Sequence, residues 1–259
     1  MKLRLVPASQ GLVWLRNGLM VCGQQSIGYL GLMGLLASMG LLLMAIPIVG
    51  PLLVMGAMPI IWMGFMIATR RVVTGKRITP GVLLEPWLAP QAPRKQWLQL
   101  GGAYIAAMML AMQMADWFGP GMDALSAAND QAKDVIDLAS NPVVQADLIW
   151  RWALTLPVTL LFWHTPALVM WGRVPVIKSL FFSLVASWRN LTAFVVYGLG
   201  WLGVATAVAV SIRLIAWVLP VPVLAEIAAV ILGMWTAGAF YASLYFTVID
   251  CFEAADQQA

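Results

Sequence analysis

Six stretches of this chain are apolar over close to the length a helix needs to cross a membrane. They cover residues 27–46, 52–69, 97–115, 148–170, 191–217 and 224–248. A helix rises about 1.5 Å per residue, so about 20 apolar residues cross roughly 30 Å of hydrocarbon. In lipid only helices and closed barrels satisfy every backbone polar group. Barrel strands would be segments of about ten residues with alternating polarity, and these runs do not alternate. Charged residues make up 10% of the chain and hydrophobic residues 62%, whereas a soluble domain carries about 25% charged residues. The expected fold is all-α, a polytopic integral membrane protein over residues 1–259. It has six transmembrane helices plus two interfacial amphipathic helices.

The first amphipathic segment, residues 9–25, sets Leu12, Leu15, Leu19 and Cys22 on one helical face and Arg16, Asn17 and Gln24 on the other. Such a helix is expected to lie in the interface plane. The second, residues 178–190, has Leu180, Phe181, Leu184 and Trp188 on its apolar side. Residues 80–88 read as a third, short helix on the membrane surface. Gly28, Gly31, Gly34 and Ser38 form a small-residue stripe of the kind that lets membrane helices approach closely. Residues 9–69 and 178–248 share one order: interfacial helix, span, proline turn, span. Both begin on the same side, so a repeat here would be parallel.

Charge sets the expected orientation. Of 15 Lys and Arg, 12 fall on the side holding both ends and the loop 70–96: Lys2, Arg4, Arg16, Arg70, Arg71, Lys76, Arg77, Arg94, Lys95, Arg173, Lys178 and Arg189. The positive-inside rule then puts the N- and C-termini in the cytoplasm. The same rule accounts for the sequence pI near 9.3, and no compact basic domain remains to bind nucleic acid. The expected partners are the lipid bilayer, anionic lipid at the basic loop, and a second copy or another chain of a membrane complex. Lys2 and Arg4 precede no apolar core or small-residue cleavage site, so the start reads as uncleaved. Cys22 and Cys251 show no CxxC or metal-ligand spacing.

The polar stretch 116–147 is an extracytoplasmic acidic loop with Lys133 as its only cation. Asp130, Asp134 and Asp137 would line one helical face, but without the glycine and glutamate of a calcium loop. A solvated acidic face is the expectation there, with no metal site. Asp147 and Arg151 form an i, i+4 acid–base pair, worth a few tenths of a kcal/mol where exposed. Arg213 and Glu226 flank the last outer turn and could pair across it, and Arg213 has Trp217 one turn on for a cation–π contact. His164, the single histidine, lies within a span near Pro157 and Pro166. An ionisable group at membrane depth is a functional candidate by default; the structural alternative is a neutral imidazole bonded to a carbonyl freed by Pro166 or to a neighbouring helix. Haem ligation by two histidines would need a second chain, so no cofactor is expected. No GxSxG, HExxH or P-loop pattern is present, and no catalytic residue is assigned.

The stretch LFWHTPALVMWGRVPVIKSLFFSLVASWRNLTAFVVYGL, the start MKLRLVPASQGLVWLRNGL and the turn PIVGPLL resemble an uncharacterised family of bacterial inner-membrane proteins, chiefly betaproteobacterial and described only as transmembrane proteins. The resemblance implies a Gram-negative inner-membrane location and no particular activity. The leading expectation is a non-enzymatic protein, either a transporter-like unit or an accessory subunit of a membrane complex. The alternatives are a lipid-interacting or intramembrane enzyme using His164, and a membrane scaffold.

Overall fold

The computed structural model describes residues 2–132, 138, 141–218 and 221–253. Its helices are α1 (Gln10–Gln24), α2 (Ser26–Met44), α3 (Val49–Val73), α4 (Glu85–Leu88), α5 (Arg94–Phe118), α6 (Gly121–Gln131), α7 (Pro142–Phe162), α8 (Thr165–Met170), α9 (Val176–Arg189), α10 (Leu191–Val218) and α11 (Pro222–Cys251). A 3-10 turn at Pro80–Leu83 precedes α4. Two short strands, β1 (Lys2–Leu3) and β2 (Phe252–Glu253), pair antiparallel. The two ends of the chain therefore meet at one end of the bundle.

Six segments are long and apolar enough to cross a membrane: Ser26–Met44, Val49–Val73, Arg94–Phe118, Pro142–Met170, Leu191–Val218 and Val223–Cys251. They correspond to the six runs read from sequence, extended by a few residues at most ends. The fourth is not one continuous helix but α7 and α8, broken at Trp163 and His164. The turn between α2 and α3 is very tight. Ile48 adopts φ 64° and ψ −53°, and the Val49 N–H donates to the Pro47 carbonyl at 2.6 Å. That is a γ-turn with a β-branched residue at its strained centre.

Helix α1 is a wedge and packs more extensively on α11 than any other pair of helices. Its buried face is Gly11, Trp14, Gly18, Val21 and Cys22, offset from the leucine face; Leu12 is exposed. Two glycines make the fit. A Cβ on Gly11 would lie 2.2 Å from the Ala193 carbonyl oxygen, and one on Gly18 would lie 2.5 Å from the Ser243 side chain. Trp14 fills the space between, against Phe194 and Tyr197.

The same inversion appears in α9. Its buried residues are Val176, Ser179, Ser183, Ala186 and Ser187, while Phe181, Leu184 and Trp188 are exposed. In lipid, helices associate through close packing of small residues and polar bonds, and the large apolar side gains nothing by turning inward.

The segment 80–88 also has two faces. It is seated on the bundle by one side: Val82, Leu83 and Pro86 are buried while Leu84 and Leu88 are exposed, and Leu83 sits against Gly64 of α3. Arg71 pairs with Glu85 at 2.6 Å, and the Trp97 indole donates to the Pro86 carbonyl at 2.8 Å. The Gln25 amide clamps the same loop, donating to the Lys76 carbonyl and accepting from the Ile78 N–H. These bonds satisfy loop backbone that would otherwise be stranded beside the helices.

Asn190 ties down the N-terminal segment. Its Oδ1 accepts from the Val6 N–H at 2.9 Å, and its Nδ2 donates to the carbonyls of Arg4 and Ala186. The core gathers at this end of the bundle. On α10 the buried residues are Ala193, Phe194, Tyr197 and Trp201, all in its first half. On α11 nearly all lie beyond residue 238. The far halves of these helices expose Leu202, Val210, Leu214, Val223, Ile227 and Val230.

Candidate functional site

His164 is fully buried. It caps the N-terminus of α8, its carbonyl accepting from the Leu168 N–H. Pro166 explains the break, since it offers no N–H and its ring clashes with the carbonyl one turn back. Serines of α9 repair it. The His164 backbone N–H donates to Ser183 Oγ at 3.0 Å, and that hydroxyl donates to the Leu160 carbonyl at 3.0 Å. Ser187 Oγ reaches the same carbonyl at 3.4 Å, and Thr165 Oγ1 donates to Leu161 at 2.9 Å. The serine face of α9 therefore supplies partners that the broken helix lost.

The imidazole itself packs as an aromatic ring. It meets Phe194 edge-on at 5.7 Å and Phe252 at 5.3 Å. Neither Nδ1 nor Nε2 has a hydrogen-bond partner among the described residues, although the backbone of Ser183 and Thr247 lies beside the ring. The Leu160 and Leu161 carbonyls are bonded by hydroxyls and not by the histidine. No bond from the imidazole to a carbonyl freed by Pro166, or to a neighbouring helix, is seen among the described residues.

Arg151 sits in a denser ionic site than its sequence spacing implied. Its Nε donates to Asp147 Oδ2 and its second amino group to Asp116 Oδ1, both at 2.7 Å. Asp147 is 7% exposed and its Oδ1 has no partner among the described residues. The i, i+4 pair is thus part of a three-member group, with Asp147 buried and Arg151 and Asp116 partly exposed, joining the end of α5 to α7. Two carboxylates share one guanidinium, a bridge that breaks expensively when one partner is removed. Asp116 could not have been matched to Arg151 from sequence, because α5 and α7 are separate segments.

Arg213 and Glu226 are both exposed, and among the described residues no ion pair joins them. The cation–π contact in the described structure is Arg70 over Trp171, at 5.7 Å, and not Arg213 on Trp217. Asp134 and Asp137 lie outside the described residues; Asp130 is exposed on α6. No group of three or more His, Cys, Asp or Glu gathers among the described residues.

The basic loop forms a feature of its own. Ala89, Pro90 and Gln91 face Met170, Trp171 and Arg173 across a shallow groove of about 380 Å³. Arg173 bridges it, donating to the Gln91 carbonyl at 2.9 Å and to Gln91 Oε1 at 3.2 Å. Its backbone has φ 52°, a left-handed conformation uncommon outside glycine.

No family model matches the chain, and no solved structure matches it. Over 255 residues the chain is 29% identical to a probable inner membrane protein of Burkholderia thailandensis, covering 97% of this chain and 94% of that protein. This is a polytopic membrane protein, similar over almost its whole length to a betaproteobacterial protein named for the inner membrane.

Proposed function

We propose that this protein is a non-enzymatic subunit of an inner-membrane assembly, with its N- and C-termini in the cytoplasm. The inner-membrane reading is supported by the name of the Burkholderia relative. The orientation is supported by the basic residues at the end of the bundle where β1 meets β2. At that end the loop around Arg70, Arg94 and Arg173 faces anionic lipid.

One observation carries the subunit reading: α2, α10 and α11 keep glycines, Gly31 and Gly40 on α2 among them, against which nothing in this chain packs. Gly200 makes room for Leu15 of α1, yet Gly198 and Gly203 beside it, and Gly233 on α11, have no atom within 4 Å of where a Cβ would sit. A helical glycine is destabilising by roughly 1 kcal/mol relative to alanine. In membrane helices that loss is offset by close approach of another helix. The spans bearing these glycines are 22% and 17% buried by their own chain. A second spanning chain packed against these helices accounts for both facts. A transporter-like unit would instead need a polar cavity around His164, whose ring is enclosed by Phe194 and Phe252. The parallel repeat is part of this reading, supported by the shared order of α1–α2–α3 and α9–α10–α11.

The test is a pair of substitutions. Gly198→Leu with Gly203→Leu starts from positions where an added Cβ meets no atom within 4 Å, and it should leave the thermal midpoint near wild type while reducing the assembly's mass on native gels. Gly11→Leu, which does clash internally, should lower the midpoint itself. An unchanged assembly in the Gly198/Gly203 variant would sink the proposal.

A further inference from the structure

The groove between Ala89–Gln91 and Met170–Arg173 has the chemistry of a headgroup pocket. Its walls are apolar or cationic: Ala89, Pro90, Met170 and Trp171 on one hand, Arg173 on the other, with Gln91 as the remaining polar side chain. Arg70 stands over the Trp171 ring at its edge. No acid lines it, and Glu85, the one acid of the loop, is occupied by Arg71 at 2.6 Å. Arg94 and Lys95 follow directly, exposed; Arg94 Nε is held by the Trp87 carbonyl.

Arg173 is positioned and not merely present. Two of its N–H groups are committed to Gln91, which fixes the guanidinium across the groove and leaves its other donors open. The strained backbone at Arg173 is kept although Gly172, one residue earlier, could take such a φ without strain. Held strain of this kind gathers at ligand sites. The stacking of Arg70 on Trp171 fixes a second guanidinium at the rim, and tryptophan is a side chain of the membrane interface.

We propose that this groove binds the headgroup of an anionic phospholipid. Arg173 and Arg70 take the phosphate, and Trp171, Met170 and Pro90 cover the glycerol and first methylenes. The proposal rests on the reading that this end of the bundle lies at a membrane surface, and it goes further by fixing the lipid's charge and the residues that hold it.

The experiment is native mass spectrometry of the full-length protein in detergent, titrated with phosphatidylglycerol and, in parallel, phosphatidylcholine. Wild type should bind the anionic lipid at least about ten-fold more tightly. Arg70→Gln and Arg173→Gln should each lose about five-fold, the share of one basic residue at a lipid surface. Arg173→Lys should keep most of the preference, and Lys95→Gln, outside the groove, should stay within about two-fold of wild type. Equal binding of the two lipids would overturn the proposal, as would a loss in Lys95→Gln as large as in Arg173→Gln. Displacement of the lipid by millimolar inorganic phosphate would overturn it in favour of a soluble anion. Detergent titration does not depend on orientation, so these outcomes leave the cytoplasmic reading and the assembly reading to their own tests.

Discussion

Asp250, at the end of the last helix, accepts the indole N–H of Trp14 on the first helix at 2.8 Å. The same Oδ2 accepts from Gln10 Nε2 at 2.6 Å. Trp14 is fully buried, so its N–H has nowhere else to turn. Asp250→Ala should destabilise the protein by about 1–3 kcal/mol, the penalty of an orphaned buried donor. Asp250→Asn, which keeps a carbonyl acceptor, should recover most of it. Thermal unfolding in detergent reads both, and equal midpoints for the two variants would contradict the assignment.

His164 separates a structural from a chemical role. Its ring makes aromatic contacts, whereas the helix break is held by its backbone and Ser183. His164→Phe should therefore change stability by less than about 1.5 kcal/mol, as shape-conserving core swaps do. His164→Ala should cost about 2–4 kcal/mol by opening a cavity, with abundance falling and the assembly otherwise intact. Ser183→Ala should cost about 1–3 kcal/mol, since it strands the His164 N–H and weakens the support of the Leu160 carbonyl. A His164→Phe protein that folds normally but loses its partner would show that the imidazole acts chemically.

Arg151 holds two carboxylates at once. Arg151→Leu should destabilise by about 1–3 kcal/mol, because the enclosed Asp147 loses its donor while Arg151 and Asp116 are partly exposed. Adding Asp147→Asn should restore a substantial part, a non-additivity that a double-mutant cycle measures directly. Simple additivity would mean that the three groups do not form one unit.

Cys22 gives a pH signature. Burial pushes its thiol up to about 12, while in the unfolded chain it ionises near 8.5. The folded form keeps a proton that the unfolded form loses, so this group's contribution is intact below about pH 8 and declines as pH rises from about 9 to 12. The slope from this group alone reaches about 1.4 kcal/mol per pH unit. Cys22→Ala should remove that extra slope between pH 8 and 10 in paired unfolding scans. Parallel slopes for the two proteins, or rapid maleimide labelling of folded Cys22 at pH 8, would contradict it.

Sequence carried the spans well, since length and hydropathy decide them and lipid permits few alternatives. It also located both amphipathic helices, through the periodicity of Leu12, Leu15 and Leu19 and of Phe181, Leu184 and Trp188. Periodicity reports that two faces differ and does not say which one meets protein. Here the glycines and Trp14 of α1 and the serines of α9 face inward. The loop 80–88 shows the same limit: its short apolar pattern marks a two-sided segment, with Leu84 and Leu88 outward, but not that Gly64 on α3 makes room for Leu83. At the candidate sites, Arg151 and His164 were legible as ionisable groups in an apolar run. Their partners Asp116, Ser183 and Phe252 were not, because contacts between separate helices leave no spacing in one chain. Arg213 and Glu226 illustrate the converse, being near the same turn and yet joined by no ion pair among the described residues.

In the proposed assembly a second spanning chain covers the exposed faces of α10 and α11. This is tested most directly by weighing the particle released from native membranes by an amphipathic copolymer, without detergent exchange. The account predicts a complex heavier than the 28.2 kDa chain, with another membrane chain or a second copy at fixed stoichiometry, and its loss in Gly198→Leu/Gly203→Leu. A single 28.2 kDa chain carrying only lipid would contradict it.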